Sequence, residues 1–259
     1  MNFTLQQTCF TDLAKLAREA GAAIMEVYRE GPQVRRKADL SPVTEADERA
    51  EAIIVAGLQQ LAPDLPIVAE EAVAAGRRPD VSNAARFWLV DPLDGTREFI
   101  DRNGEFTVNI ALIDNGAPVA GVVYAPAIDR LFLGAVGHGA KVIDAIGERD
   151  IRCRMPPAEG LTVLASRSHG DRAALDRYLS DFRVADIVAA GSSLKLCLLA
   201  EGVADLYPRF GRTMEWDIAA GHAVLAAAGG SVRDLSGAPL RYGKDELANP
   251  DFIARGLGA

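Results

Sequence analysis

The chain has 259 residues, 49% of them hydrophobic and 25% charged, a globular composition that excludes collagen, coiled coil and intrinsic disorder. The formal net charge of -8 excludes the broad basic field that a nucleic-acid polymer requires. The three cysteines, Cys9, Cys153 and Cys197, form no CxxC pair and leave one unpaired in any scheme, so free thiols in a reducing cytosol are expected.

No basic region followed by an apolar run opens the chain, so no signal peptide is read. Leu13, Leu16, Ala17, Ala20, Ile24 and Val27 recur at helical spacing, and Gly31-Pro32 ends the run. Arg35, Arg36 and Lys37 form a short basic cluster on a loop. A second helix is expected to begin near Thr44, with Asp47 completing a capping box. A strand over 65–69 ends in Glu70-Glu71, and the polar stretch after it reads as a loop.

A buried strand over 87–90 runs into Asp91-Pro92-Leu93-Asp94-Gly95-Thr96. Pro92 predicts a turn that brings Asp91 and Asp94 to one side. Gly95 allows close backbone approach. Thr96 opens a short helix, whose free N–H groups suit an anion. Carboxylates are the ligands of a hard cation such as Mg²⁺, often beside substrate phosphate. Capping of a turn is the simpler role for such a pair.

Strands over 107–113 and 119–124 flank Asp114-Asn115-Gly116, a hairpin signal. Strands over 131–136 and 140–143 extend the meander. A boundary near 155–157 divides a larger N-terminal α+β half, 1–157, from a smaller α/β half, 158–259. In the second half, strands over 162–165 and 187–189 alternate with helices over 172–179, 193–200 and 217–228. The longest uncharged stretch, 218–232, is shorter than the ~20 apolar residues of a membrane span. Asp217 reads as an N-cap and Lys195 as a snorkelling helix lysine. His222 lies about 140° around the helix from Asp217 and reads as structural. Trp88 and Trp216 read as core anchors.

WLVDPLDGT, VAEE and EWDIAAGHAVLAAAGG together resemble the lithium-sensitive, Mg²⁺-dependent phosphatase superfamily that includes inositol monophosphatase. GSSLKLCLLAEGVADLYPRFG, SRSH at 166–169 and REFIDRNGEFTVNIALI look like its 3'(2'),5'-bisphosphate nucleotidases of the CysQ type. The resemblance implies an α/β (α+β) fold, a layered αβαβα sandwich, with the site between its halves. It implies removal of the 3'-phosphate from adenosine 3',5'-bisphosphate, a by-product of sulfate assimilation, to give AMP and phosphate. An inositol or sugar monophosphatase on the same scaffold is the alternative, and a non-catalytic nucleotide-binding regulator is a third reading.

Residue by residue, the resemblance implies one Mg²⁺ held by Glu70, Asp91 and the Leu93 carbonyl, and a second held by Asp91, Asp94 and Asp217. A third would sit near Glu70, so two or three ions are expected per site. Thr96, oriented by Asp47 from the matching segment LSPVTEAD, and Glu70 would position and deprotonate the attacking water. Gly95 and Thr96 would hold phosphate. Lys195, with Ser192 or Ser193, would contact the nucleotide, with Arg167, Arg209 and His169 as weaker candidates. The expected partner is a small nucleotide bisphosphate rather than a nucleic-acid polymer. No integral membrane segment is expected, and the protein would be a monomer or homodimer in the cytoplasm or at the cytoplasmic periphery of the inner membrane. Independently of resemblance, four bare carboxylates at close quarters would repel, and divalent cations would cancel them.

Overall fold

The structure, a computed structural model, describes residues 7–31, 34–36, 42–167 and 171–259. Lys37, Ser168, His169 and the side chain of Cys9 lie outside the described residues.

Helices α1 (Gln7–Glu30) and α2 (Glu45–Leu61) flank a small ladder of β1 (Arg35–Arg36) and β2 (Pro42–Val43). Next come β3 (Ile67–Ala69), α3 (Glu70–Ala74), β4 (Arg86–Asp94) and α4 (Thr96–Ile100). Strands β5 (Thr107–Asp114), β6 (Ala117–Ala125), β7 (Arg130–Ala135), β8 (Gly139–Asp144) and β9 (Gly147–Ile151) form an antiparallel meander. With β3 parallel to β4, they make a seven-stranded sheet in chain order. The expected hairpin is present, with Asn115 and Gly116 both at positive φ as a tight turn between twisted strands demands.

Beyond it lie β10 (Leu161–Ser166), α5 (Arg172–Leu179), β11 (Val184–Ala190) and α6 (Leu194–Ala200). They are followed by β12 (Leu206–Arg209), β13 (Thr213–Met214), α7 (Glu215–Ala227), β14 (Ser231–Asp234), β15 (Ala248–Asn249) and β16 (Phe252–Arg255). A mixed five-stranded sheet has the order β11-β10-β12-β16-β14, and β13 pairs with β15. Strands β9, β12, β14 and β16 have no counterpart in the sequence reading. They are short or interrupted by charge; β9 pairs with its neighbour β8, whereas β12, β14 and β16 pair with strands farther off in the chain.

Alternation along β4 assembles the layers. Trp88 and Val90 face a core with Leu13, Ile24, Ile54 and Leu58 of α1 and α2. Phe87 and Leu89 face the opposite core with Leu196 of α6 and Val224 of α7. That second core continues to Tyr207 and Phe252 of the smaller sheet. Leu175 and Leu179 of α5 cover the sheet's far side against Val163 and Ile253. The order is therefore α1 and α2, seven-stranded sheet, α6 and α7, five-stranded sheet, α5. This is the αβαβα sandwich. Trp88 and Trp216 are both buried in it. Among the described residues, no helix is long and apolar enough to cross a membrane.

Candidate active site

A cavity of about 470 Å³ opens where β4 ends, and it faces α6, β12 and the start of α7. Glu70, Asp94, Gly95 and Thr96 line one wall; Ser193, Lys195, Tyr207, Arg209 and Asp217 line the other.

The acidic wall comes from an irregularity in β4, where a turn at Pro92 was expected. Asp91 pairs with Asn109 and Asp94 with Thr107, so three steps on β4 match two on β5. A regular strand would point residues i and i+3 to opposite faces. The extra residue of the bulge returns Asp94 to the face of Asp91. Asp91 is buried beneath the cavity, where its Oδ1 accepts the Leu93 N–H at 3.0 Å. Asp94 Oδ2 accepts N–H groups from Ser193 and, at 3.5 Å, from Asn109 Nδ2.

Glu70, expected at the end of a strand, is the first residue of the short helix α3 that follows β3. Its carboxyl group stands beside that of Asp91 and helps to raise it. Asp217 is the third residue of α7 rather than its N-cap. Its Oδ2 accepts the Met214 N–H at 2.8 Å.

Burial, then Glu70, Asp94 and Asp217, pushes the Asp91 carboxyl well above the usual range. Burial, then Asp94 and Glu70, raises Asp217. Burial raises Asp94 to about 6, opposed by Lys195 and the Ser193 N–H. The four acids thus converge and repel, as their charges predict. Among the described residues, no ion pair reaches Asp91, Asp94 or Asp217. Among the same residues, no three acidic, histidine or cysteine side chains are gathered tightly enough to hold an ion as they stand. The acids line an open cleft. A hard cation bound there would offset the repulsion among these carboxylates, with phosphate and water as further ligands. The donor set therefore fits a divalent ion of the Mg²⁺ kind.

Gly95 sits at φ +91, a left-handed conformation that disfavours any side chain. It is the N-cap of α4. Thr96 Oγ1 lies 3.3 Å from both Asp47 Oδ1 and the Leu93 carbonyl. Asp47 is buried, and its Oδ2 accepts from the Thr44 N–H at 2.8 Å and the Thr44 hydroxyl at 2.7 Å. The expected capping box is therefore also the device that aims Asp47 at Thr96.

On the opposite wall, Lys195 is buried rather than snorkelling, and its Nζ donates to Ser192 O at 2.6 Å and Ala190 O at 3.2 Å. Burial lowers its pKa to about 8, opposed by Asp94. The Ser193 hydroxyl turns inward to Asn109 Oδ1 at 2.7 Å and Thr107 Oγ1 at 3.0 Å. Arg209 joins the cavity wall. Arg167 does not line it, being held in a two-pronged ion pair by Glu105 at 2.9 and 2.7 Å. His222 is structural, its Nδ1 2.8 Å from Tyr242 Oη. Cys153 and Cys197 are buried, and burial raises both thiols, so neither is a nucleophile.

The sequence reading missed Glu98, Tyr207 and Arg212, which line the cavity. It also missed Thr107 and Asn109, which fix Ser193 and Asp94. Glu98 lay in plain view two residues after Thr96, where the helical turn places it beneath the site. Nothing in the local sequence marks the others.

Residues 6–256 match the sequence profile of the inositol monophosphatase family. The 3'(2'),5'-bisphosphate nucleotidase CysQ of Shigella flexneri is 50% identical over 96% of this chain and 98% of its own. Its Escherichia coli K12 counterpart is 48% identical over the same shares. The crystal structure of CysQ from Bacteroides thetaiotaomicron superposes with a TM-score of 0.80 at 40% identity, covering 97% of this chain and 98% of its own. The inositol monophosphatase of Anabaena reaches a TM-score of 0.76 at 27% identity, over 97% and 92%.

Proposed function

The chain belongs to the inositol monophosphatase family, and from that premise we propose that it is a metal-dependent 3'(2'),5'-bisphosphate nucleotidase. It hydrolyses the 3'-phosphate of adenosine 3',5'-bisphosphate to give AMP and phosphate. The observation that carries the substrate is the polarity of the cleft. Glu70 and Asp94 stand on one wall, and Lys195 and Arg209 stand beside Asp217 on the other. A monophosphate ester uses only the first wall, whereas a nucleotide bisphosphate offers a second anion to the other. The 48–50% identity to the 3'(2'),5'-bisphosphate nucleotidases of Shigella flexneri and Escherichia coli, against 27% to the inositol monophosphatase of Anabaena, supports the same reading.

Glu70, Asp91 and the Leu93 carbonyl would hold one Mg²⁺, and Asp91, Asp94 and Asp217 a second, with room for a third beside Glu70. When bound, these ions neutralise the phosphate, lower the pKa of the attacking water and stabilise the leaving oxygen. The N–H groups of Gly95 and Thr96 face the phosphate oxygens from the start of α4. Asp47 accepts the Thr96 hydroxyl proton, which leaves the Thr96 oxygen lone pairs turned to the water. Water, oriented by Glu70 and the Thr96 oxygen, attacks phosphorus and passes one proton to the Thr96–Asp47 pair. The bond from phosphorus to the 3' oxygen breaks, and that oxygen is protonated from solvent. Lys195 and Arg209 orient the nucleotide. Buried free thiols fit a reducing compartment, in keeping with a cytoplasmic site of action.

Phosphate release from adenosine 3',5'-bisphosphate and from inositol 1-phosphate, each with and without Mg²⁺, tests this reading. The nucleotide is expected to be the better substrate and Mg²⁺ to be required. A preference for the inositol ester would replace the substrate; tight nucleotide binding without phosphate release would replace the enzyme.

A further inference from the structure

Glu105, in the segment between α4 and β5, stands where the two walls of the cleft meet. Its carboxylate takes Arg167 on both oxygens, and its Oε2 also accepts the Gly191 N–H at 2.8 Å. Arg167 in turn donates to Ala189 O at 3.0 Å. The Glu105 backbone carbonyl is wedged between two glycines. A Cβ on Gly95 would lie 3.1 Å from it, and one on Gly191 only 2.8 Å. The same residue therefore presses on the turn that opens α4 and on the loop that opens α6.

That second loop is built under constraint. Ser192 has φ +45, a left-handed conformation that is unfavourable for a non-glycine residue. Its neighbours nevertheless serve both walls. The Ser193 N–H holds Asp94, and Ala190 O and Ser192 O hold the Lys195 ammonium. Strain of this kind persists only where surrounding contacts over-determine it, and the Glu105 carboxylate on Gly191 N–H is the charged contact that reaches this segment from outside the cleft lining, beside Asp94 and Lys195 within it.

We propose that Glu105 is a positioning residue for the nucleotide: its carboxylate, clamped by Arg167, sets the 190–193 loop and thereby the reach of Lys195 into the cleft. The inference rests on the nucleotidase reading for its substrate, but the latch itself is independent of it. A substrate that spans both walls depends on the latch. A small phosphate ester that occupies only the acidic wall depends on it less, because Asp94 retains the Asn109 contact.

The test compares the full chain with Glu105→Gln and Glu105→Ala on adenosine 3',5'-bisphosphate and on p-nitrophenyl phosphate. Loss of a charge-assisted hydrogen bond at this position should raise KM for the bisphosphate about tenfold in Glu105→Ala, with kcat falling less. For p-nitrophenyl phosphate, kcat/KM should change by no more than about threefold. Glu105→Gln keeps an acceptor for Gly191 and should recover most of the loss. Amide exchange at Gly191 and Ser193 should quicken in Glu105→Ala whatever the substrate. Equal losses on both esters with no rescue by Gln would reduce Glu105 to a structural role, and unchanged amide exchange would overturn the latch. A wild-type enzyme without bisphosphate preference would instead sink the functional reading, leaving the exchange result to decide the latch.

Discussion

Asp94 and Ser193, 99 positions apart in the chain, are joined by a hydrogen bond from the Ser193 backbone N–H to the Asp94 carboxylate. One end belongs to the bulged strand that gathers the acids, the other to the loop that carries Lys195. The two walls of the cleft are therefore joined directly through this bond.

Asp94→Asn is expected to abolish most turnover while the chain stays folded. The substitution weakens a cation site and relieves repulsion among buried carboxylates. Thermal unfolding without metal should occur at an unchanged or higher temperature, and added Mg²⁺ should raise it less than in the wild type. Retention of the Mg²⁺-activated rate would remove Asp94 from the site.

Thr96→Val keeps the shape of the side chain and deletes the hydroxyl that Asp47 accepts. General base assistance is worth about 100-fold or more in rate, so kcat should fall by that order with KM little changed. Steady-state kinetics on the bisphosphate check this. A rate within a few fold of wild type would transfer the proton to Glu70 alone.

Glu215 has no solvent exposure. It accepts from Gly243 N at 2.7 Å and Lys244 N at 3.0 Å, and it pairs with Lys244 Nζ at 2.6 Å. Those bonds anchor the start of α7 two residues before Asp217. Glu215→Ala leaves buried donors behind and should cost about 3 kcal/mol of stability, read by urea unfolding. Glu215→Gln should cost less, because the amide oxygen still accepts.

His222 contributes to the acid sensitivity of the fold. Burial holds its imidazole at about 4, whereas an unfolded histidine titrates near 6.5. Between those values the unfolded chain binds the extra proton, so stability falls as pH drops from about 6.5 to about 4 and this group removes no more below that. The full loss is about 3 kcal/mol. His222→Gln should flatten that part of the curve relative to wild type in unfolding experiments at pH 7 and pH 4.5. Parallel curves would show that His222 does not control it.

Helices α1, α2, α5 and α7 were legible because each carries a periodic apolar stripe or a closing glycine, and the β5–β6 hairpin because Asn115-Gly116 is local chemistry. Strands β12, β14 and β16 were not legible, since their pairing partners are distant and nothing local favours an extended chain. Within the site, residue types and spacing named the acids and Thr96, and the family resemblance named Lys195. They misplaced the geometry that joins Asp91 to Asp94, because a bulge is defined by the register of a neighbouring strand.

By itself, then, the sequence determined which groups can do chemistry: carboxylates, a threonine poised at a helix start and a lysine, all fixed by covalent identity and short-range turns. Only the tertiary structure decided which of them meet. It buried Lys195 instead of letting it snorkel, withdrew Arg167 into the grip of Glu105, turned the Ser193 hydroxyl inward and brought Asp217 opposite Asp94. Each of those outcomes depends on desolvation and on contacts between residues far apart in the chain, which exist only once both sheets have closed on the helices between them.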